Sequence, residues 1–516
     1  MANRVQGESS SSSLFEPNAS VVVIGSGLAG LTAAITAAEN RPRVQVTLLE
    51  KNLKLGGNSA KATSGINALN LGDGDSPLRF QRDTKEAGHH SGKDRLISIL
   101  TEQSTSALSF LHEKLSESIP ANTPELSNTI RGGGHSVART WRFPPTSDGR
   151  PIPVGYTLIS AMEKAANRIP NIRILKGVHV TKILTDSQNK AIEGVVFKEG
   201  KSEYNLSAGS VVLATGGFAA SRQMLSTYAP SLSHLPTTNG PWATGDGVEI
   251  AIAAGCQTTD MAHVQVHPTG FINPKAPNSA SVFLAPEALR ACGALLVDPA
   301  SGKRFVNELL PRDELSESIF QHGMPITQWE RFAGVTNRTS DQIPEKDDNA
   351  KQATVAGIIL SPVAAEAFGI SALKFYEKMG ILKECENLRK AAEILHVPVE
   401  TLRRDLRQYV EDAKGGVGRF GKKYMPNAGS YADDGKYWVG WITPTLHYCM
   451  GGVNFTEEGQ LVNGEGHPIK GLYAAGEVTG GVHGKNRLVG NSLLECVVFG
   501  RISGENAAKN ALATLK

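Results

Sequence analysis

The patterned part of the chain opens with an unbroken apolar run, Val21-Val22-Val23-Ile24. It passes straight into Gly25-Ser26-Gly27-Leu28-Ala29-Gly30 and then into an apolar, small-residue stretch from Leu31 to Ala38. A short apolar run bounded by glycine predicts a buried strand, and the stretch after it a helix. A second strand, Val44 to Leu49, ends in Glu50, 20 residues after Gly30. Strand, G-x-G-x-x-G turn, helix, strand and acid in this register predict a dinucleotide site. Gly25 supplies the tight turn, Gly27 admits a pyrophosphate to the backbone, and Gly30 lets the helix pack on the strand. Glu50 is then the acceptor for an adenosine ribose, and the helix that follows Leu28 and Ala29 turns its free N–H groups to phosphate.

The same patterning divides the rest of the chain. Leu96 to Leu115 and Tyr156 to Asn167 read as amphipathic helices, and Ile172–Leu175 and Val178–Leu184 as strands. Ala191–Lys198 and Glu203–Leu206 read as a hairpin. Val211-Val212-Leu213 runs into Ala214-Thr215-Gly216-Gly217, a second place where backbone can meet a cofactor. The small-residue stretch Gly56-Gly57-Asn58-Ser59, continuing through Ser64 and Gly65, can pass close to a flat ligand. From about Met261 to His447 the chain is richer in loops and in His, Arg and Glu. That stretch holds one clear helix, Val399 to Lys414, with Leu402, Leu406 and Val410 on one face and Gly415-Gly416 as its stop. A buried strand ending in Gly476-Glu477 and a helix from Ser492 to Leu512 follow. These features predict an α/β protein in which a Rossmann-like dinucleotide-binding domain carries an inserted α+β domain. The expected division is a tail over 1–17, the first part of the cofactor domain over 18–261, the insertion over 262–446 and the second part over 447–516.

Composition narrows the function classes. A net charge of +3 over 516 residues, with both signs interspersed, argues against nucleic acid and against an anionic membrane surface. No apolar run approaches the roughly 20 residues of a membrane-spanning helix. The five cysteines are scattered without a C-x-x-C pair, so no metal site is expected and a reducing compartment fits. A cytoplasmic location is expected, with a mitochondrial one as the alternative. The polar Ser9–Ser13 tract marks the N-terminus as a disordered tail, and Glu345 to Lys351 reads as a solvated loop.

Taken together, the motifs resemble the soluble fumarate reductases of the succinate dehydrogenase/fumarate reductase flavoprotein superfamily, in their single-chain fungal and trypanosomatid form. The resemblance is carried by Gly25 to Gly30, Gly56 to Ser59, Gln265-Val266-His267-Pro268-Thr269-Gly270 and Glu287-Ala288-Leu289-Arg290. It continues through Arg304 to Glu308, Arg312-Asp313, His447 to Gly452, Gly476 to Gly484 and Asn486-Arg487-Leu488. It implies FAD, held between the two ends of the chain, and a cap that closes over a small dicarboxylate such as fumarate or succinate. By resemblance, Arg487, His447, His267 and Gln265 bind that substrate. Arg312 would be the proton donor, reprotonated through Glu287 and Arg290, which lie three apart on one helical face. Arg304 and Glu308 would hold the insertion together.

The cofactor positions expected on this basis add several residues to the glycine turn and Glu50. They are Lys51, Gly57, Asn58, Ser59, Ser64 and Gly65, then Ala214, Thr215 and Gly216, then Thr244, Gly245 and Asp246. Gly476, Glu477, Asn491, Ser492 and Leu493 complete the set, with the helix at Asn491-Ser492 aimed at the isoalloxazine N1/O2 edge. Respiratory members hold FAD through a histidine near the position of Ser59; Asn58-Ser59-Ala60-Lys61 has none, so FAD is expected to be non-covalent. Val489 and Pro286 depart from the family pattern beside the expected substrate groups. The sequence contains no C-x-x-C-H haem motif, so electrons are expected from an external donor, either reduced flavin or an NADH-linked reductase. Two rival readings remain: reduction of another unsaturated acid, urocanate- or methacrylate-like, or an electron-transfer subunit with no substrate of its own.

Overall fold

The computed structural model describes residues 19–119, 124–147, 151–186, 191–334, 353–431 and 435–514. The expected N-terminal tail and the Glu345–Lys351 loop lie outside these residues. Five parallel strands form the centre of the cofactor-binding part, in the spatial order Pro468–Ala474, Ser210–Leu213, Ser20–Ile24, Gln45–Glu50 and Ile172–Lys176. Gln460–Val462 adds an antiparallel edge beside Pro468–Ala474. The central strands are buried on both faces, as their continuous apolar character requires.

Chain topology brings the two ends of the sequence into one site. The first helix, Leu28–Asn40, lies against the last, Asn491–Ala513. Small residues let the two backbones touch: a Cβ on Gly504 would sit 2.3 Å from the Ala33 carbonyl oxygen. The helix starts three residues earlier than the apolar pattern alone suggests, because Gly27, in extended backbone, is itself the cap. The glycine turn is similarly tight. Gly25 holds φ at +98°, and a Cβ on Gly30 would meet the Gly25 carbonyl oxygen at 1.9 Å.

A second, antiparallel sheet is built mainly from the stretch expected as the insertion, its strand Tyr437–Cys449 running past the expected boundary at 446. Its main path runs Val264–Phe271, Tyr437–Cys449, Thr354–Leu360, Leu295–Val297. Apolar clusters lie on both sides of this sheet, one including Trp329, Leu402 and Tyr409, the other Phe271, Leu289 and Trp438. The helix Val399–Lys414 has the bounds its pattern predicts, and Asp405 and Tyr409 are buried on it with Leu402 and Leu406. Arg304 pairs with Glu308 through both carboxylate oxygens at 2.9 Å, and Lys422 reaches the same carboxylate at 2.7 Å.

One predicted helix is two. Leu96 to Leu115 breaks at Gln103 into Asp94–Glu102 and Ser104–Ser118. Thr101 and Ser104 bond their own backbone there, to the Ile97 and Thr101 carbonyls, and so compete with the helical ladder.

The close contact of the two terminal helices can be tested directly. Gly504→Ala should lower stability by about 1–3 kcal/mol through overpacking. Denaturant midpoints of the two proteins measure this, and equal midpoints would contradict the contact.

Candidate active site

A continuous cavity of about 550 Å³ runs from the glycine turn to the second sheet. At one end it is walled by Gly25, Gly27, Leu28, Ala29, Glu50, Lys51, Gly57, Asn58, Ser59, Ser64 and Gly65. Ala214, Thr215, Gly216 and Asp246 continue the wall, and Glu477, Ser492 and Leu493 carry it toward Arg312, His447, Tyr448 and Arg487. Other expected cofactor residues, Gly30, Thr244, Gly245, Gly476 and Asn491, do not line the cavity; each is adjacent in sequence to one that does.

Local bonds explain the shape of the cofactor end. Glu50 sits at the end of its strand, and its carboxylate accepts from Ser26 N at 3.0 Å, Ser26 Oγ at 2.6 Å, Asn52 N at 2.7 Å and Asn52 Nδ2 at 2.9 Å. These bonds fix the acid against the glycine turn. A ribose hydroxyl would have to share or replace them. Ser59 Oγ accepts from Leu28 N at 3.1 Å and so ties the small-residue stretch to the helix start. Lys51 Nζ donates to Thr244 Oγ1 and to Asp246 Oδ2, both at 2.7 Å, and His179 Nε2 lies 3.1 Å from the same Asp246 oxygen. Asn58 is anchored through Gly240 N at 3.0 Å.

The far end is dominated by buried cations. Arg312 begins the helix Arg312–His322, and Arg487 lies in the glycine-rich turn before the last helix. Gln265 Oε1 stands between them, accepting from Arg312 Nη1 at 2.8 Å and from Arg487 Nη2 at 3.4 Å. Gln265 Nε2 is spent on Asn486 Oδ1 and the Arg487 carbonyl, at 2.6 and 2.9 Å, so the residue sequence reasoning assigned to substrate is a bridge between two guanidinium groups. Arg487 also stacks on Tyr448, with its guanidinium carbon 4.4 Å from the ring centre. Behind the ring, Glu495 takes Tyr448 OH and His483 Nε2 at 2.5 and 2.9 Å.

Glu287 and Arg290 occupy the short helix Glu287–Ala291, and both are buried. Glu287 Oε2 lies 3.3 Å from Arg312 Nε and 3.4 Å from Arg290 Nη2. Arg290 Nη1 donates to the Glu308 carbonyl at 2.7 Å. Burial, then repulsion from Arg487, pushes the Arg312 guanidinium down to about 9. Burial works to raise the Glu287 carboxyl, but Arg290 and Arg312 outweigh it and hold the group below its ordinary range.

The two histidines lie on paired strands, with ring centres 5.1 Å apart. His447 faces the cavity, its Nδ1 2.8 Å from Thr238 Oγ1. His267 is fully buried behind it. Thr269 N donates to His267 Nδ1 at 3.1 Å, which leaves the ring hydrogen on Nε2, a buried atom without a partner among the described residues. Burial and the neighbouring Arg312 hold both rings well below the usual histidine range, so they act as neutral donors and not as cations.

One cation escaped the sequence reading. Lys61 Nζ donates to the Thr238 carbonyl at 2.7 Å on the cavity wall, close enough to His447 to help keep that ring neutral. Its signal was a lone lysine in the small-residue stretch from Gly56 to Gly65.

The residues fit a bound flavin nucleotide. Thr215 Oγ1, Trp242 Nε1 and Arg487 Nε are buried polar atoms on residues lining this cavity, and none has a partner among the described residues. The wall between them is glycine-rich backbone.

Comparison with known proteins gives the same answer. Residues 20–493 match the family model described as FAD binding domain. The chain is similar to a protein named fumarate reductase from Schizosaccharomyces pombe, at 35% identity over 96% of this chain and 90% of that one. It is also similar to fumarate reductase 1 of Saccharomyces cerevisiae, at 34% identity over 95% of this chain and 98% of the relative. A solved structure of the open conformation of a flavocytochrome c3 fumarate reductase aligns with a TM-score of 0.70 and 30% identity, covering 96% of this chain and 78% of that one.

Burial pushes the Glu477 carboxyl up to about 7 from an ordinary value of 4.5. A carboxyl raised on folding adds stability that is fully present below about pH 4.5 and is lost as pH rises through about 7. In flavin-stripped protein, Glu477→Gln should therefore remove a fall in urea midpoint over that window. An identical pH dependence in the two proteins would refute the assignment.

Proposed function

The chain belongs to the family built on this FAD binding domain, and from that premise we propose that it reduces fumarate to succinate. One observation carries the reading. Arg312 and Arg487 flank Gln265 Oε1, both buried and both on the wall of the cavity that continues to the FAD end. Two fixed guanidinium groups with neutral histidine donors suit a small dicarboxylate. The names of the fungal relatives agree with this substrate.

Reduced FAD, when bound, would supply from N5 the hydride that adds to one carbon of the double bond, and would be left oxidised until the external donor re-reduces it. The protein's own groups do the rest. Arg487 pins one carboxylate with a planar fork, helped by His447. The oxygens so held take up the charge that develops as the double bond is polarised. Arg312 gives a proton to the other alkene carbon. Its lowered affinity for that proton makes a guanidinium a workable acid, where an ordinary one would hold it too tightly. Glu287, 3.3 Å away, returns a proton to Arg312, and Arg290 feeds Glu287 in turn. Residues 262–446 serve as the cap that excludes water from this chemistry, and the electrons come from an external donor.

The cofactor is held without a covalent bond. Ser59 lies near the position where respiratory members carry their attaching histidine, and its Oγ is already engaged by Leu28 N. Acid precipitation should leave all flavin absorbance in the supernatant; colour retained in the pellet would show a covalent link.

Reduced methyl viologen with fumarate tests the activity itself. Wild-type protein should oxidise the dye only when fumarate is present. Arg312→Ala should lower kcat by about 10²- to 10⁴-fold, the usual contribution of a general acid, while flavin absorbance is unchanged. A variant with near-normal turnover would remove Arg312 from the proton path.

A further inference from the structure

Between the strands Asn128–Ile130 and Thr140–Arg142 lies Arg131-Gly132-Gly133-Gly134-His135, a loop outside the expected site residues. A buried ionic cradle holds it from below. Arg139, with no exposed surface, donates to Asp75 through Nε and Nη2 at 2.9 Å and to Asp83 through Nη1 at 2.5 Å. Ser136 N and Oγ bond the same Asp83 at 2.8 and 2.7 Å. His135 Nε2 donates to the Val489 carbonyl at 3.0 Å while its Nδ1 faces Arg139 Nη1 at 3.3 Å. Burial and Arg139 push this ring down to about 4, so it stays neutral. Arg131 Nε closes the loop onto the His135 carbonyl at 2.8 Å.

At the apex, Gly133 N–H donates to Glu287 Oε1 at 2.6 Å, across 154 residues of chain. The carboxylate is therefore divided. Oε1 belongs to the loop, and Oε2 is left for Arg312 and Arg290. Side chains are excluded where this happens. A Cβ on Gly133 would lie 2.8 Å from the Leu310 carbonyl oxygen and 3.2 Å from Glu287 Oε1. A Cβ on Gly132 would lie 3.0 Å from Val489 Cγ1 and 3.2 Å from that same carboxylate oxygen.

We propose that Gly133 is a positioning residue of the proton relay: its backbone N–H turns Glu287 so that Oε2 meets Arg312 and Arg290, and the relay is complete only when the glycine loop and the helix 287–291 are docked together. The proposal rests on the reading of Arg312 as proton donor and deepens it. The charged and titratable groups facing Glu287 are Arg290 on its own helix, Arg312 from the helix it begins, His135 from the loop and, from the turn before the last helix, Arg487. None of them replaces the lost hydrogen bond when Gly133 N–H is displaced, so the carboxyl then binds its proton more tightly.

The test uses full-length flavoprotein. The infrared band of the protonated Glu287 carboxyl, identified by its loss in Glu287→Gln, is followed against pH. In Gly133→Ala the band should appear about one pH unit higher than in wild type. The acid limb of the kcat profile should move with it, and kcat should fall about 10- to 100-fold while KM stays within about twofold. Gly133→Ala combined with Glu287→Gln should be no slower than Glu287→Gln alone. His135→Ala, which keeps Gly133 but removes the loop's ties to the Val489 carbonyl and to Arg139, is the milder variant and should move the band the same way by less. An unmoved band in both variants overturns the proposal, as does a Gly133→Ala loss that adds in full to that of Glu287→Gln. The infrared titration needs no turnover, so it decides the role of Gly133 even if the wild-type protein reduces no fumarate.

Discussion

Burying positive charge beside positive charge is the constraint around which this site is organised. Arg312, Arg487 and Arg290 are all removed from water, and Lys61 lies on the same cavity wall. Desolvating each cation costs several kcal/mol, recovered only where hydrogen bonds and counter-charges are well placed. Here they are scarce. Gln265 lends one oxygen to two guanidinium groups, Tyr448 offers a ring face to Arg487, and Glu287 is shared between Arg312 and Arg290. Of the two further carboxyls that act on Arg487, Glu495 is shared with Tyr448 and His483, and Glu477 is pushed by burial toward its neutral form. Cations therefore outnumber ionised carboxylates at this end of the cavity, and a bound dicarboxylate would restore the balance.

The fold makes that imbalance tolerable by spreading its supports over distant parts of the chain. Gln265 and the two histidines stand on paired strands of the second sheet. Arg487 comes from the turn before the last helix, and Glu287 and Arg312 open two further helices. Each cation is rooted in a different element, so none can relax without disturbing a strand or helix end. The first and last helices must meet through small residues for the cofactor end and the cationic end to form one cavity. A rigid frame holding unfavourable charge proximity is what preorganised catalysis requires.

How much of this was legible depends on whether a residue's role is fixed locally. The glycine turn was, because a positive φ and a 1.9 Å approach leave glycine no substitute. The Glu287/Arg290 pair was named by the resemblance, and its three-residue spacing on a helix is a local fact that agrees with it. Gln265 was placed at the right end of the cavity, but its bonds to two arginines depend on a residue 47 positions away and another 222 away. The same applies to Glu50, whose partner Ser26 lies 24 residues earlier, and to Gly133, whose partner lies 154 residues later. Lys61 was passed over because nothing around it in sequence says it would be desolvated. The break at Gln103 was missed because the apolar face of Leu96, Leu100, Ala107 and Leu111 continues in phase across it.

The neutral state of the histidines follows from the same constraint. A proton on His447 or His267 would add charge beside Arg312, and Arg487 and Lys61 lie near His447 as well. The site therefore separates two tasks often combined in one residue. Permanent charge comes from arginines that burial cannot easily neutralise, and direction comes from uncharged imidazole donors. Arg312 stands at the limit of that division. It is still a cation at neutral pH, yet burial and Arg487 bring it within a few units of losing its proton. The crowding that would favour a dianion in the pocket thus also makes Arg312 on its wall more acidic.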